Sequence, residues 1–234
     1  MRLDRFLSEA TELTRSQAKR ALRQLEVSVD GETVRDASRQ VSDTQDIRWQ
    51  GSALARIGWR YLMMHKPVGV ECSLRPAHYP SVMSLIEIEQ IERLHPVGRL
   101  DVDTSGLLLI SDDGKWTHRV TSPNHACEKR YRATLGETLS ADDAVRVAKQ
   151  FAEGIMLNGD EKPTKPAIFE AVGESEVIVG VTEGRYHQIR RMLTAVGYTV
   201  ETLHRESIGP LSLDPELAPG ECRHLRPEEV AAFE

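Results

Sequence analysis

The string Gly98-Arg99-Leu100-Asp101-Val102-Asp103-Thr104-Ser105-Gly106 puts two carboxylates in a short polar loop that runs straight into the apolar stretch Leu107-Leu108-Leu109-Ile110. A loop held against a buried strand fixes the direction of a carboxylate, and a fixed carboxylate can act as nucleophile or general base. Asp101 lies between Leu100 and Val102, Arg99 and Asp103 offer ionic partners, and Thr104 and Ser105 can satisfy backbone groups. On these residues alone a structural turn and a catalytic one both fit, and either Asp101 or Asp103 fits as the working acid.

The second string is Glu183-Gly184-Arg185-Tyr186-His187-Gln188-Ile189-Arg190-Arg191-Met192, a basic island at an expected strand-to-helix junction. Such a junction can present N–H groups to an anion, and arginine can pair with phosphate or hold a carboxylate in place. Surface arginines around an ordinary helix fit equally well. His187 reads as a positioning or structural residue, because no Ser or Cys stands out as a nucleophile for it to activate. Between the two strings, Lys129 and Tyr131 alternate onto one side of an expected strand. Tyr131 fits a base-stacking position and also an ordinary core position.

Other chemistries find little support. Cys72, Cys127 and Cys222 are dispersed and form no CxxC pair, and the eight histidines include no HExxH arrangement. The glycine-bearing loop around Gly98 lacks the spacing of a phosphate loop or a dinucleotide site. No metal and no cofactor are expected. No apolar run approaches the roughly 20 residues that span a bilayer, and the amino terminus, MRLDRFLSEA, lacks the apolar core of a secretory signal. A cytoplasmic protein without membrane association is expected.

The elements that must position these residues fall into two electrostatically different parts of a 234-residue chain of net charge -6. Residues 1–25 hold six Lys or Arg against three Asp or Glu, net +3; residues 26–57 hold four against six, net -2; residues 58–234 hold twenty against twenty-seven, net -7. Leu3, Phe6, Leu7 and Ala10 recur at helical spacing, and Thr14-Arg15-Ser16-Gln17 supplies a capping box for a second helix with Ala18, Ala21, Leu22 and Leu25 on one face. Arg15, Lys19 and Arg23 form a basic stripe that Arg20 widens, suited to a phosphate backbone or simply to solvent. Val27 to Val34 alternates around Asp30-Gly31 as a hairpin does, and Ile47-Arg48-Trp49 can close the small sheet. Residues 50–58 read as a linker. Beyond it, strands are predicted at 61–64, stopped by His65-Lys66-Pro67, and at 107–110, 131–135, 167–172 and 177–181. Helices are predicted to begin near Ser140 and His187. The pattern is mixed α and β without regular βαβ spacing, which disfavours a doubly wound fold.

Taken together, His65-Lys66-Pro67, the Gly98–Gly106 loop with Asp101, Lys129-x-Tyr131 and Gly184-Arg185-x-His187-Gln188-Ile189-Arg190 resemble the ordered motifs of ribosomal RNA pseudouridine synthases. The first 48 or so residues, with Arg2-Leu3-Asp4, Thr14-Arg15-Ser16 and Val27-x-Val29-Asp30-Gly31, resemble the S4 RNA-binding module. The compact length and the lack of a long basic tail look most similar to the RsuA family of bacterial small-subunit enzymes. His65 departs from it, since close relatives commonly carry asparagine before Lys-Pro.

The resemblance implies an α+β protein: an S4 (alpha-L-like) domain with its linker over residues 1–57, then a catalytic domain over 58–234 with a mixed, largely antiparallel sheet. It implies isomerisation of uridine to pseudouridine in 16S ribosomal RNA at the uridine 516-type site, within a small-subunit assembly intermediate, by a monomer without a cofactor. A 23S ribosomal RNA target and a non-catalytic S4-type RNA-binding protein are the alternatives. By resemblance Asp101 is the nucleophile, Tyr131 packs against the target base, and Arg190 pairs with Asp101. Ile189 lines the pocket, Arg99 organises the loop, and Lys66, Lys129, Arg185, His187 and Gln188 lie near the substrate. Arg2, Arg15, Ser16, Lys19, Arg20 and Arg23 form the RNA-contact face of the S4 module.

Overall fold

A computed structural model describes residues 1–42, 44–55, 58–122 and 127–233, which form two compact units, Met1–Trp59 and Arg60–Glu234. The expected linker over 50–58 includes Arg56 and Ile57, which lie outside the described residues.

In the first unit α1 (Leu3–Ala10) and α2 (Arg15–Arg23) precede β1 (Val27–Val29), β2 (Glu32–Thr33), β3 (Ile47–Trp49) and β4 (Ser52–Ala53). The strands form one antiparallel sheet in the order β2-β1-β3-β4. Leu3, Phe6 and Leu7 of α1 meet Ala18, Ala21 and Leu22 of α2 over Val27, Val29 and Ile47. The predicted capping box forms: Thr14 Oγ1 accepts from Gln17 N, and Gln17 Oε1 accepts from Thr14 N at 2.8 Å. Such a cap contributes about 1 kcal/mol to the helix.

The second unit carries β5 (Tyr61–Lys66), β6 (His95–Val97), β7 (Thr104–Ser111), α3 (Gly114–Thr121), β8 (Lys129–Leu135), α4 (Ala141–Glu153), β9 (Ile168–Ala171), β10 (Glu176–Val181), α5 (Gln188–Ala195), β11 (Val200–Ile208), β12 (Leu211–Ser212), β13 (Cys222–His224) and α6 (Pro227–Ala231). Its sheet runs β13-β5-β7-β11-β8-β10-β9, with β6 also paired to β7 and β12 to β11. Among the described residues β7 and β11 are the parallel pair, and the other pairings are antiparallel. The mixed, largely antiparallel sheet expected above is therefore present.

Both faces of the central strands are covered, which explains their continuous apolar runs. Leu62, Met64, Leu108 and Ile110 turn toward Val147, Phe151, Met192 and Leu193, while Met63, Leu107 and Leu109 turn toward Trp116 and Val120. Strand β5 runs two residues further than predicted and carries His65 and Lys66 before Pro67 ends it. Strand β11, which joins β7 to β8 at the centre of the sheet, had no counterpart in the sequence reading. Its approach to β7 depends on Gly106, whose φ is +109° and where any Cβ would collide with the backbone of Arg205.

Candidate active site

The loop between β6 and β7 carries Asp101 to the wall of a cleft of about 530 Å³, within the range of small-molecule sites. Gly98, Arg99 and Leu100 line the cleft from the same loop, Lys129 and Tyr131 from β8, Ile189 and Arg190 from α5, and Leu203 and Arg205 from β11. Loop and strand ends thus bring together residues far apart in sequence, and the two strings singled out above meet.

The loop that carries Asp101 is held mainly by its backbone. Lys66, wholly buried, donates from Nζ to the carbonyls of Pro67, Asp101 and Thr104 at 2.9, 3.0 and 2.8 Å. Gly69 N donates to Val102 O at 2.8 Å, Thr104 N to Asp101 O at 3.1 Å, and Leu100 N to Cys72 Sγ at 3.4 Å. Burial lowers the Lys66 pKa and raises that of Cys72. Lys66 was expected near the substrate; instead its ammonium faces inward and gathers three carbonyls behind the loop, so its place is structural. The carboxylate of Asp101 itself remains partly exposed, at 35%, with His187 Nε2 3.5 Å away.

Arg190 corrects another expectation. Its guanidinium pairs with Asp103, Nη2 to Oδ2 at 3.0 Å, rather than with Asp101. Nη1 donates to Val200 O at 2.9 Å and Nη2 also reaches Asp103 O at 3.3 Å. The anchor at Val200, where β11 begins, directs the side chain to the far end of the Asp101–Thr104 turn. In this geometry Arg190 orients the loop through Asp103.

The remaining predicted residues separate into two groups. Tyr131 is 9% exposed and Ile189 buried, both lining the cleft, and Arg99 is exposed along it. Arg185 and Gln188 also border it, but protein groups occupy their polar ends. Arg185 binds Asp160 at 2.8 Å and the carbonyls of Lys162 and Pro163. Gln188 accepts from Arg185 N at 2.9 Å and donates to Glu183 at 3.0 Å. They shape the wall rather than offer open hydrogen-bonding groups. Lys129 donates to Cys127 O at 2.9 Å, and burial lowers its pKa.

Arg205 is the site residue that the sequence reading missed. It is only 3% exposed, donates from Nε to Leu107 O at 2.7 Å, and lies 5.9 Å from the centre of the Tyr131 ring. Nη1 reaches the Tyr131 hydroxyl at 3.4 Å, while Nη2 has no protein partner. A cation in such a place fixes the aromatic ring from behind. The available signal was an arginine between Leu203 and Ile208 just before the Gly209-Pro210 turn.

In the first unit Arg2, Arg15 and Lys19 converge on a fully buried carboxylate. Arg2 binds Asp4 through two bonds of 3.0 Å, and Arg15 and Lys19 lie 3.5 and 3.9 Å from it. The hydrogen bond from Arg2 is the largest influence lowering the Asp4 pKa. Ser16, Arg20 and Arg23 are exposed on α2. The basic stripe is thus organised around one acid yet keeps an excess of positive charge.

Among the described residues no group of three His, Cys, Asp or Glu is placed to hold a metal ion, and no helix is long and apolar enough to cross a membrane. Residues 60–195 match the RNA pseudouridylate synthase family and residues 1–47 match the S4 domain. Over 233 residues the chain is 47% identical to the ribosomal small subunit pseudouridine synthase A of Vibrio cholerae, covering 100% of this chain and 99% of that protein. It is 45% identical to the protein of the same name from Escherichia coli K12, with 99% of each chain covered. A solved structure described as a crystal structure of pseudouridylate synthase aligns over 100% of both chains, with a TM-score of 0.70 and 42% identity.

Proposed function

As the chain belongs to the RNA pseudouridylate synthase family, and within it to the ribosomal small subunit pseudouridine synthase A branch with an N-terminal S4 domain, we propose that it isomerises one uridine of 16S ribosomal RNA, at the uridine 516-type position. The observation that carries the site assignment is Asp101: a carboxylate on a backbone-pinned loop, opening into a cleft shared with Tyr131, Ile189 and Arg205. We place the enzyme in the cytoplasm, acting as a monomer on a small-subunit assembly intermediate, with domains over residues 1–57 and 58–234.

The reaction exchanges one glycosidic bond for another. The N1–C1′ bond breaks, the uracil turns, C5 bonds to C1′, and the C5 proton leaves while N1 gains one, so the product is an isomer and no external reagent is consumed. Asp101 acts as the nucleophile, either at C1′ or at C6 of the base; both routes require an ionised, oriented carboxylate. The uridine must first leave its stack, at a cost of a few kcal/mol. Tyr131 and Ile189 offer the extruded base an apolar wall, and Tyr131 is also the group nearest in chemistry to a proton acceptor for C5. Arg190 keeps the turn in place through Asp103, and Arg205 holds the tyrosine.

Naked 16S RNA, partly assembled small subunits and 23S RNA, each incubated with the protein and mapped chemically for pseudouridine, test the target. One new site in small-subunit RNA, formed fastest on partly assembled subunits, is expected. Modification confined to 23S RNA would overturn the choice of target.

The S4 face has its own test. R15A/K19A/R23A removes three cations from one helix and is expected to weaken RNA binding and reduce the slope of log affinity against log salt by about 2. An unchanged slope would remove α2 from the RNA-contact surface.

A further inference from the structure

Tyr186 is the most exposed large hydrophobic side chain among the described residues, at 77%, yet it borders the cleft that holds Asp101. Its ring lies parallel to that of His187, with centroids 3.9 Å apart and planes within 16°. His187 in turn approaches Asp101 with Nε2. The aromatic pair therefore connects the open rim of the cleft to the reacting carboxylate.

The mounting beneath this pair is tied by several hydrogen bonds. Arg191 donates to the carbonyl of Tyr186 at 3.2 Å and to that of Asn158 at 2.8 Å, while Arg185 is committed to Asp160, Lys162 and Pro163. Gln188 closes the turn on Arg185 N. His187 holds a left-handed backbone, φ 47° and ψ 37°, that is uncommon for a residue with a side chain and persists where its surroundings enforce it. Arg185 and Arg191 are thus committed to neighbouring carbonyls and to Asp160, and the Tyr186 hydroxyl has no protein partner among the described residues. A fixed aromatic face presented to solvent beside a nucleotide cleft matches the chemistry of base stacking, in which the ring is ordered before binding and tolerates any base.

We propose that Tyr186, backed by His187, is a stacking platform for a nucleobase adjacent to the uridine that enters the cleft. The inference rests on the functional reading above and adds to it a positioning residue for the flanking RNA. Stacking here orders the strand at the rim while the target base turns inward, so its contribution is to binding of the RNA rather than to the bond exchange.

The test compares Y186A, Y186F and Y186L on RNA fragments spanning the target, with kcat and KM measured separately and affinity measured in the D101N background. Y186A and Y186L are expected to raise KM and weaken affinity roughly 5- to 100-fold, the range of one lost base stack, with kcat nearly preserved; Y186F is expected to behave as the parent. Placing an abasic nucleotide at one flanking position should erase the difference between Y186A and the parent. The proposal is overturned if Y186A binds and reacts as the parent does, if Y186F is as damaging as Y186A, or if the loss is confined to kcat. It is also overturned if Y186A is impaired on assembled subunits alone, which assigns the ring to a protein contact. Affinity and abasic rescue are read without turnover, so they decide the stacking even if no pseudouridine forms and the functional reading fails.

Discussion

D101N is expected to lower pseudouridine formation by about 10³-fold or more, the scale on which enzymes lose activity with their nucleophile, while RNA affinity stays within about twofold. The separation follows from how the loop is held. Lys66 binds the carbonyl of Asp101, Thr104 N binds the same carbonyl, and Gly69 N binds that of Val102. None of these contacts uses the Asp101 carboxylate, whose close partner is His187 at 3.5 Å. Asparagine keeps the size and shape of the side chain and removes its charge and nucleophilicity. Thermal stability should change by no more than about 0.5 kcal/mol, as for other substitutions that leave packing alone. The measurements are chemical mapping of the modified uridine, filter binding of the RNA and a melting curve. Full activity in D101N would transfer the chemistry to another group, with Asp103 the nearest in sequence, although its pairing with Arg190 suits it to support.

The parts of this site that can be read from sequence are those whose chemistry is local. Asp101 stands in a polar loop before an apolar run, and the run itself is legible because both faces of β7 are covered. Tyr131 follows Lys129 by the strand period, and the helix of Ile189 declares itself by apolar spacing. Arg205 was hidden because β11 reads Val-Glu-Thr-Leu-His-Arg-Glu-Ser-Ile, without clean alternation, and its pairing with β8 shifts register twice, between Val200 and Thr202 and between Arg205 and Ser207. The partner of Arg190 was a tertiary matter: two aspartates two residues apart fit the same arginine in sequence, and the anchor at Val200 selects Asp103. Lys66 was misplaced for a more general reason. Lysine is among the residues least often fully buried, and the three carbonyls that permit it here come together only when the loop folds back over the end of β5.

That arrangement gives K66M the largest expected effect on stability. Methionine follows the aliphatic stem of lysine closely, so the change isolates the ammonium group. Its loss leaves the carbonyls of Pro67, Asp101 and Thr104 without the charged donor that reaches them from the buried side of the loop. Burial opposes the charge on Lys66, as the direction of its pKa shows, so the three bonds cannot be added as though each acted alone. Leaving buried carbonyl acceptors without their donor costs about 1–3 kcal/mol. For a unit of this size each kcal/mol lowers the melting temperature by about 2–4 °C, which makes the transition of residues 60–234 easy to resolve by calorimetry. The surviving folded protein should also be slow, because Lys66 fixes both ends of the Asp101–Thr104 turn and a displacement of about 1 Å at a reacting group can cost about 10²-fold in rate. K66R distinguishes charge from geometry: a planar guanidinium keeps the charge but does not fit three converging acceptors, so it should recover little of either property. Parent-like stability and activity in K66M would show that the loop holds its shape without the buried amine, leaving Gly69, Cys72 and the Arg190–Asp103 pair as its supports.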